Sequence, residues 1–225
     1  TIEEKALFLH LNREKKSITL NLENHAGREL FLKLVDQSDI IIENYPPGAM
    51  DTLGLGYEFL HKRRPNLVLL SVTPFGQSGP YKNYNFTELT IFAMGGAMHR
   101  EGLPGKEPLR YGGDIGMYFA GTVASAILMA SVYKSLLSNN GEWIDLSIFE
   151  ALAGHPHQIG LRAPYIYSGA TDERTMPRSP TGRQDEPYAV GTFRCKDGFV
   201  SFLPLGTRMW PGLARMIGKP ELIAD

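Results

Sequence analysis

From Met117 to Tyr133 the chain carries no charged residue, and a run of that length must either lie inside a protein layer or enter a bilayer. It reaches only the short end of the membrane-spanning range of about 17 to 25 residues. Its many small side chains, among them Ala120, Gly121, Ala124, Ser125, Ala126, Ala130 and Ser131, suit close helix packing. We therefore expect a buried core helix of a water-soluble protein, with no membrane partner.

Ahead of that helix the chain alternates strand-like and helix-like segments. Ser17-Ile18-Thr19-Leu20-Asn21-Leu22 alternates as a strand does, and Gly27 to Leu34 has helical apolar spacing. Ile40-Ile41-Ile42 is a short continuous apolar run and Leu67 to Val72 is the next buried strand, as expected of a sheet covered on both faces. Between them a helix from about Tyr57 to Arg64 is stopped by Pro65, with Lys62, Arg63 and Arg64 at its dipole-negative end. A further helix is expected from Leu89 to Met98. This order predicts an α/β fold with a parallel sheet. From Leu161 to Pro187 periodicity fades into a linker, and Lys196-Asp197-Gly198 joins two apolar runs as a hairpin, followed by a helix near Arg208 to Ile217.

Length and charge narrow the function. The 225 residues are 43% hydrophobic and 21% charged, an ordinary globular mixture. A net charge of −1 argues against nucleic-acid binding through an overall positive field. The one cysteine, Cys195, falls on an expected strand and cannot form an intrachain disulfide, which fits a reducing cytoplasm. His155-Pro156-His157 has no Cys or third His at a metal-site spacing, so no metal is expected.

The reactive candidate is Asp114, set in Arg110-Tyr111-Gly112-Gly113-Asp114-Ile115-Gly116. Glycines allow positive φ and close approach by a bulky substrate. Taken alone, the pattern reads more readily as a turn with a helix-capping Asp.

Other strings shift that balance. Glu43-Asn44-Tyr45-Pro46-Pro47-Gly48, Leu53-Gly54-Leu55-Gly56-Tyr57 and Phe75-Gly76-Gln77-Ser78-Gly79-Pro80-Tyr81 resemble the family III CoA transferases. That family includes formyl-CoA, carnitine and aryl-succinate CoA transferases and α-methylacyl-CoA racemases. Leu11 to Ile18, Glu142 to Ala151 and Lys196-Asp197-Gly198 continue the resemblance in order along nearly the whole chain.

The resemblance implies a Rossmann-like large domain over 1–160 lacking its first βα unit, a linker over 161–187 and the start of a smaller α+β domain over 188–225. It also implies interlocked homodimers. The position matching Asp114 attacks an acyl-CoA, giving a mixed anhydride and then an aspartyl-CoA thioester from which an acceptor carboxylic acid takes the CoA. No permanent cofactor is implied; coenzyme A arrives as substrate. The apolar helix beside Asp114 is expected to desolvate its carboxylate, and backbone N–H groups are expected to stabilise the oxyanion.

Glu88 matches the family's second acidic position, and equally suits the first turn of a helix. Thr87 stands where racemases of the family carry a histidine, and Thr exchanges no proton near neutral pH, which favours transfer over racemisation. Coenzyme A is expected along Leu20, Asn44, Tyr45 and Leu53, with Lys82 and Tyr84 near the entrance. Tyr45 replaces a more usual Phe, and Thr52 an arginine that some members place on a phosphate. Arg13, Lys15 and Lys16 could attract phosphates but read more simply as a solvated face. The tetraglycine loop of formyl-CoA transferases is absent from this sequence. An acyl-CoA racemase or isomerase of the same fold, or a non-catalytic CoA-binding protein, are the alternatives.

Overall fold

The computed structural model describes residues 2–99, 101–102, 105–154, 165–169, 191–202 and 208–223. They form a mixed α/β structure dividing into two compact units, Thr1–Gly95 with Tyr111–His155, and Gly96–Arg110 with Pro156–Asp225.

The first unit is built on a parallel sheet of β1 (Ile40–Glu43), β2 (Val68–Thr73) and β3 (Trp143–Ser147), in that order. Its helices are α1 (Ile2–Leu11), α2 (His25–Val35), α3 (Ala49–Thr52), α4 (Tyr57–Arg63), α5 (Glu88–Met94), α6 (Ile115–Ser138) and α7 (Ile148–Ala153). On one face of the sheet, Val68, Leu70 and Leu146 pack against Ala124 and Leu128 of α6. A second cluster joins Val35 of α2, Met50, Leu55, Leu60 of α4 and Leu67. The central strand β2 is buried on both faces, which is why it reads as apolar apart from Ser71 and Thr73, whereas Ile42 of the edge strand β1 stays exposed.

Three features of this unit differ from the sequence reading. Ser17 to Leu22 alternates but forms no strand. Leu22 instead packs against the second apolar cluster and Leu20 is half-buried, while Ile18 stays exposed, so only the end of the alternating run is used for burial. The strand β3 was not foreseen; Asp145 interrupts its apolar pattern because its carboxylate accepts the Gln77 N–H at 2.9 Å.

The third concerns α6, which is buried along one stripe only, through Gly116, Ala120, Ala124, Leu128, Ser131 and Ser135. A helix laid on one layer buries one stripe, and Met129, Tyr133, Leu136 and Leu137 stay exposed at 63–76%. By length and composition α6 could cross a membrane; its small-residue stripe lies on the sheet.

The connections are tight where backbones meet. Gly141, ahead of β3, donates to the Pro65 carbonyl at 2.7 Å, and a Cβ there would stand 1.8 Å from the Leu67 oxygen. Arg63, at the end of α4, donates to both oxygens of Asp36 at 2.6 Å, and Arg64 reaches Asp39 at 2.8 Å. These arginines therefore lock α4 to the α2–β1 corner, beyond complementing a dipole.

The second unit contains the antiparallel hairpin of β4 (Gly191–Arg194) and β5 (Phe199–Phe202), as expected around Lys196-Asp197-Gly198. Cys195 lies just past β4, exposed, rather than on the strand. Helix α8 (Trp210–Met216) buries Leu213 and Ala214, and the Trp210 indole N–H donates to the Leu222 carbonyl at 2.7 Å. His155, His157 and most of the linker lie outside the described residues.

Candidate functional site

Asp114 is the residue immediately before α6, at φ −102 and ψ 45, and its side chain makes no capping hydrogen bond. An N-cap residue usually has extended φ/ψ, which aims its side chain at the first-turn N–H groups; this backbone does not. Only the Asp114 carbonyl serves the helix, accepting from Tyr118 N–H at 3.1 Å. The capping role that the sequence pattern suggested is therefore not filled by the carboxylate. Gly113 precedes it at φ 66, a conformation that favours glycine, so the chain can turn sharply into the helix. Contrary to expectation the Asp114 side chain is exposed rather than desolvated, because Gly112 and Gly113 bring no side chains over it.

Glu88 stands beside this segment. A Cβ added to Gly116 would meet the Glu88 Oε1 at 3.1 Å and side-chain atoms of Phe92 and Leu152 at 3.5 Å. The hydrogen at position 116 therefore lets α5, α6 and α7 converge. Glu88 and Phe92 lie one helical turn apart on α5, so a carboxylate and a ring share the face that meets the start of α6. Thr87 caps α5: its hydroxyl accepts from Thr90 N–H at 3.2 Å, and its own N–H donates to the Thr90 hydroxyl at 2.8 Å. This side chain is committed to the helix end, in keeping with its poor acid/base chemistry.

The residues expected along coenzyme A are distributed mainly around the carboxyl ends of the strands, where parallel α/β sheets bind their ligands. Asn44 and Tyr45 follow β1 directly and are exposed, and the Tyr45 N–H donates to the buried Glu43 carboxylate at 2.7 Å. Beyond β2, Tyr84 stands edge-on to Phe75 at 6.3 Å and 5.2 Å from Tyr81, while Lys82 is exposed between them. Leu53 is half-buried against the cluster under α4 and so partly serves packing, and Leu20 is half-buried on the irregular segment before α2. Thr52 donates its hydroxyl to the Gly48 carbonyl at 3.1 Å. Arg13, Lys15 and Lys16 are exposed.

A cavity of about 200 Å³ is lined in part by Glu43, Pro46, Gly48, Gly56, Tyr57 and Gln77 of the three family-like strings, joined by Asp51, Glu58 and by Ser71 and Trp143, which the sequence reading did not single out. Trp143 stacks near Tyr57, with ring centroids 6.2 Å apart, and donates to the Ser71 hydroxyl at 2.9 Å. Neither Asp114 nor Glu88 lines it, and its lining includes three carboxylates with no Lys or Arg. Such a lining repels CoA phosphates. Ser71 between apolar neighbours of β2 was the available signal. Among the described residues no cluster of His, Cys, Asp and Glu could hold a metal.

The model for CoA-transferase family III matches residues 2–225. The acetyl-CoA:oxalate CoA-transferase of Acetobacter aceti is 30% identical over 99% of this chain and 56% of its own length. The succinyl-CoA–D-citramalate CoA-transferase of Chloroflexus aurantiacus is 32% identical over 96% of this chain and 52% of its own. A solved CAIB/BAIF family protein from Brucella suis superposes with a TM-score of 0.75 at 28% identity, over 93% of this chain and 54% of that one. The chain thus spans about half the length of these relatives. Matched along almost all of its residues, the chain belongs to CoA-transferase family III.

Proposed function

We propose that the protein containing this chain transfers coenzyme A between carboxylic acids, with Asp114 as the covalent acceptor of the acyl group. The observation that carries the reading is an Asp at the head of a long helix whose side chain neither caps that helix nor is shielded by its glycine neighbours. The relatives' names, each a CoA-transferase acting between acyl-CoA and acid, support it.

An Asp114 carboxylate oxygen attacks the thioester carbonyl carbon, the carbon–sulfur bond breaks, and CoA leaves as thiolate from a mixed anhydride. The thiolate then attacks the aspartyl carbonyl, releasing the donor acid and leaving an aspartyl-CoA thioester. The acceptor carboxylate attacks that thioester, and a second exchange through an anhydride delivers acyl-CoA and restores Asp114. Each intermediate is about as activated as its predecessor, so the sequence runs reversibly without an external energy source. The first-turn N–H groups of α6, which have no intrahelical partners, support the negative charge that develops beside Asp114. Glu88 would orient the reacting group, a role supported by its carboxylate lying against Gly116 just past Asp114. Asn44, Tyr45, Leu20 and Leu53 would receive coenzyme A, with Lys82 and Tyr84 at its entrance.

The test mixes the full-length protein with an acyl-CoA donor and a second carboxylic acid in deuterated water. Transfer predicts a new acyl-CoA with no deuterium at the α-carbon. Deuterium uptake without a second acid would mean isomerisation, and no change in either would leave only CoA binding.

The reading includes a homodimer, supported by the uncovered apolar residues Met129, Tyr133, Leu136 and Leu137 of α6. A monomeric mass for the full-length protein in sedimentation at micromolar concentration would count against it.

A further inference from the structure

We propose that Tyr111 is a positioning residue for Asp114, acting through its ring contact with Phe92. This rests on the reading of Asp114 as the acyl acceptor. Between Tyr111 and Asp114 the chain is Gly112-Gly113, and a Cβ added at either glycine would meet nothing within 4 Å. Neither can hold the segment by side-chain packing, and glycine pairs have the most conformational freedom to lose. Tyr111 supplies the side-chain anchor at that end: its ring centroid lies 5.1 Å from that of Phe92, at 63°. Such edge-on pairs contribute beyond the area they bury.

Phe92 is only 2% exposed, so it makes a rigid base. The same ring comes within 3.5 Å of the Cβ position of Gly116. One buried ring of α5 therefore supports the chain on both sides of Asp114, at Tyr111 before it and Gly116 after it. Glu88 on the same face of α5 is set against Gly116. Removing the Tyr111 ring takes away the contact with Phe92 ahead of the two glycines and leaves the contacts of Phe92 and Glu88 at Gly116, so the carboxylate should lose its direction without losing its chemistry. A misplacement of about 1 Å at a reacting group can cost about 100-fold in rate.

The experiment measures hydroxylamine trapping at Asp114 in the full-length protein with acetyl-CoA, formyl-CoA and succinyl-CoA as donors. It compares wild type, Tyr111→Ala, Tyr111→Leu and Tyr111→Phe. We expect Tyr111→Ala to trap about 100-fold more slowly at saturating donor, with the half-saturating concentration changed less than about threefold. Tyr111→Phe keeps the ring and should stay within about threefold of wild type. Tyr111→Leu, which retains apolar bulk without the ring, should be slow too, and decides the matter if the alanine variant does not fold. Trapping of Tyr111→Leu or Tyr111→Ala at the wild-type rate, a loss confined to half-saturation, or Tyr111→Phe as slow as Tyr111→Ala would overturn the positioning role. A wild type left unmodified by every donor would instead reject the acyl-acceptor reading, and this inference with it.

Discussion

Asp36 and Asp114 both stand at a helix end in the first unit, yet they are used in opposite ways. Asp36 closes α2 and is held by two 2.6 Å hydrogen bonds from Arg63, while its backbone carbonyl accepts from Arg64. The bonded guanidinium keeps its carboxyl below the usual aspartate range against a smaller opposing effect of burial. Asp114 opens α6 and makes no side-chain bond to it. The first carboxylate is consumed by architecture, and the second is left available. What separates the two here is their surroundings, two arginines at Asp36 against two glycines before Asp114, and on that difference rests the proposal that Asp114 is the reactive acid.

Three substitutions can break that comparison. The largest effect belongs to Asp114→Ala. Loss of a covalent nucleophile should reduce CoA transfer by at least about 10³-fold. Because no cap bond is lost, urea unfolding should shift by less than about 0.5 kcal/mol. A stability loss of about 1 kcal/mol with transfer intact would restore the capping role.

Glu88→Gln comes next. If the Glu88 charge supports the reacting group beside Gly116, transfer should fall about 10²-fold with little change in unfolding. A variant as active as wild type would reduce Glu88 to a first-turn helix residue.

Asp36→Asn should leave transfer unchanged and alter only the acid side of the stability profile. A carboxyl whose folded pKa is depressed contributes stability that is present above its unfolded pKa and lost as pH falls through its folded value. The wild-type advantage over Asp36→Asn should therefore be present near neutral pH and disappear in acid. A difference that persists unchanged at low pH would contradict the assignment of that stability to the Arg63 pair. The effect is expected to be modest, since both partners are partly exposed.

The fold was legible where burial alone sets the pattern. Leu67 to Val72 reads as a strand because it is buried on both faces, Ile40 to Ile42 reads as one although Ile42 stays exposed at the sheet edge, and Pro65 marked the end of α4. Legibility failed where a partner decides the outcome. The alternation from Ser17 to Leu22 says which side chains can be buried, and says nothing of whether a neighbouring strand exists. In α6 the residue types are apolar all round, and only the single layer beneath it determines that Ala124 and Leu128 are buried while Leu136 is exposed. The same holds at the candidate site. Resemblance singled out Asp114 and Glu88, and the structure brings Glu88 against Gly116, just past Asp114. That the Asp114 side chain does not cap depends on a φ of −102 and ψ of 45, which residue type does not encode. The Phe92–Tyr111 contact joins residues far apart in sequence and carries no local signature.

The central claim is covalent, and mass spectrometry tests it most directly. Full-length protein incubated with an acyl-CoA and quenched with borohydride is digested and its peptides sequenced. The account predicts reduction of the Asp114 side chain to an alcohol, dependent on the acyl-CoA and absent from untreated protein. Peptides containing an unmodified Asp114 under conditions where CoA is being transferred, or a modification placed on another residue, would contradict it.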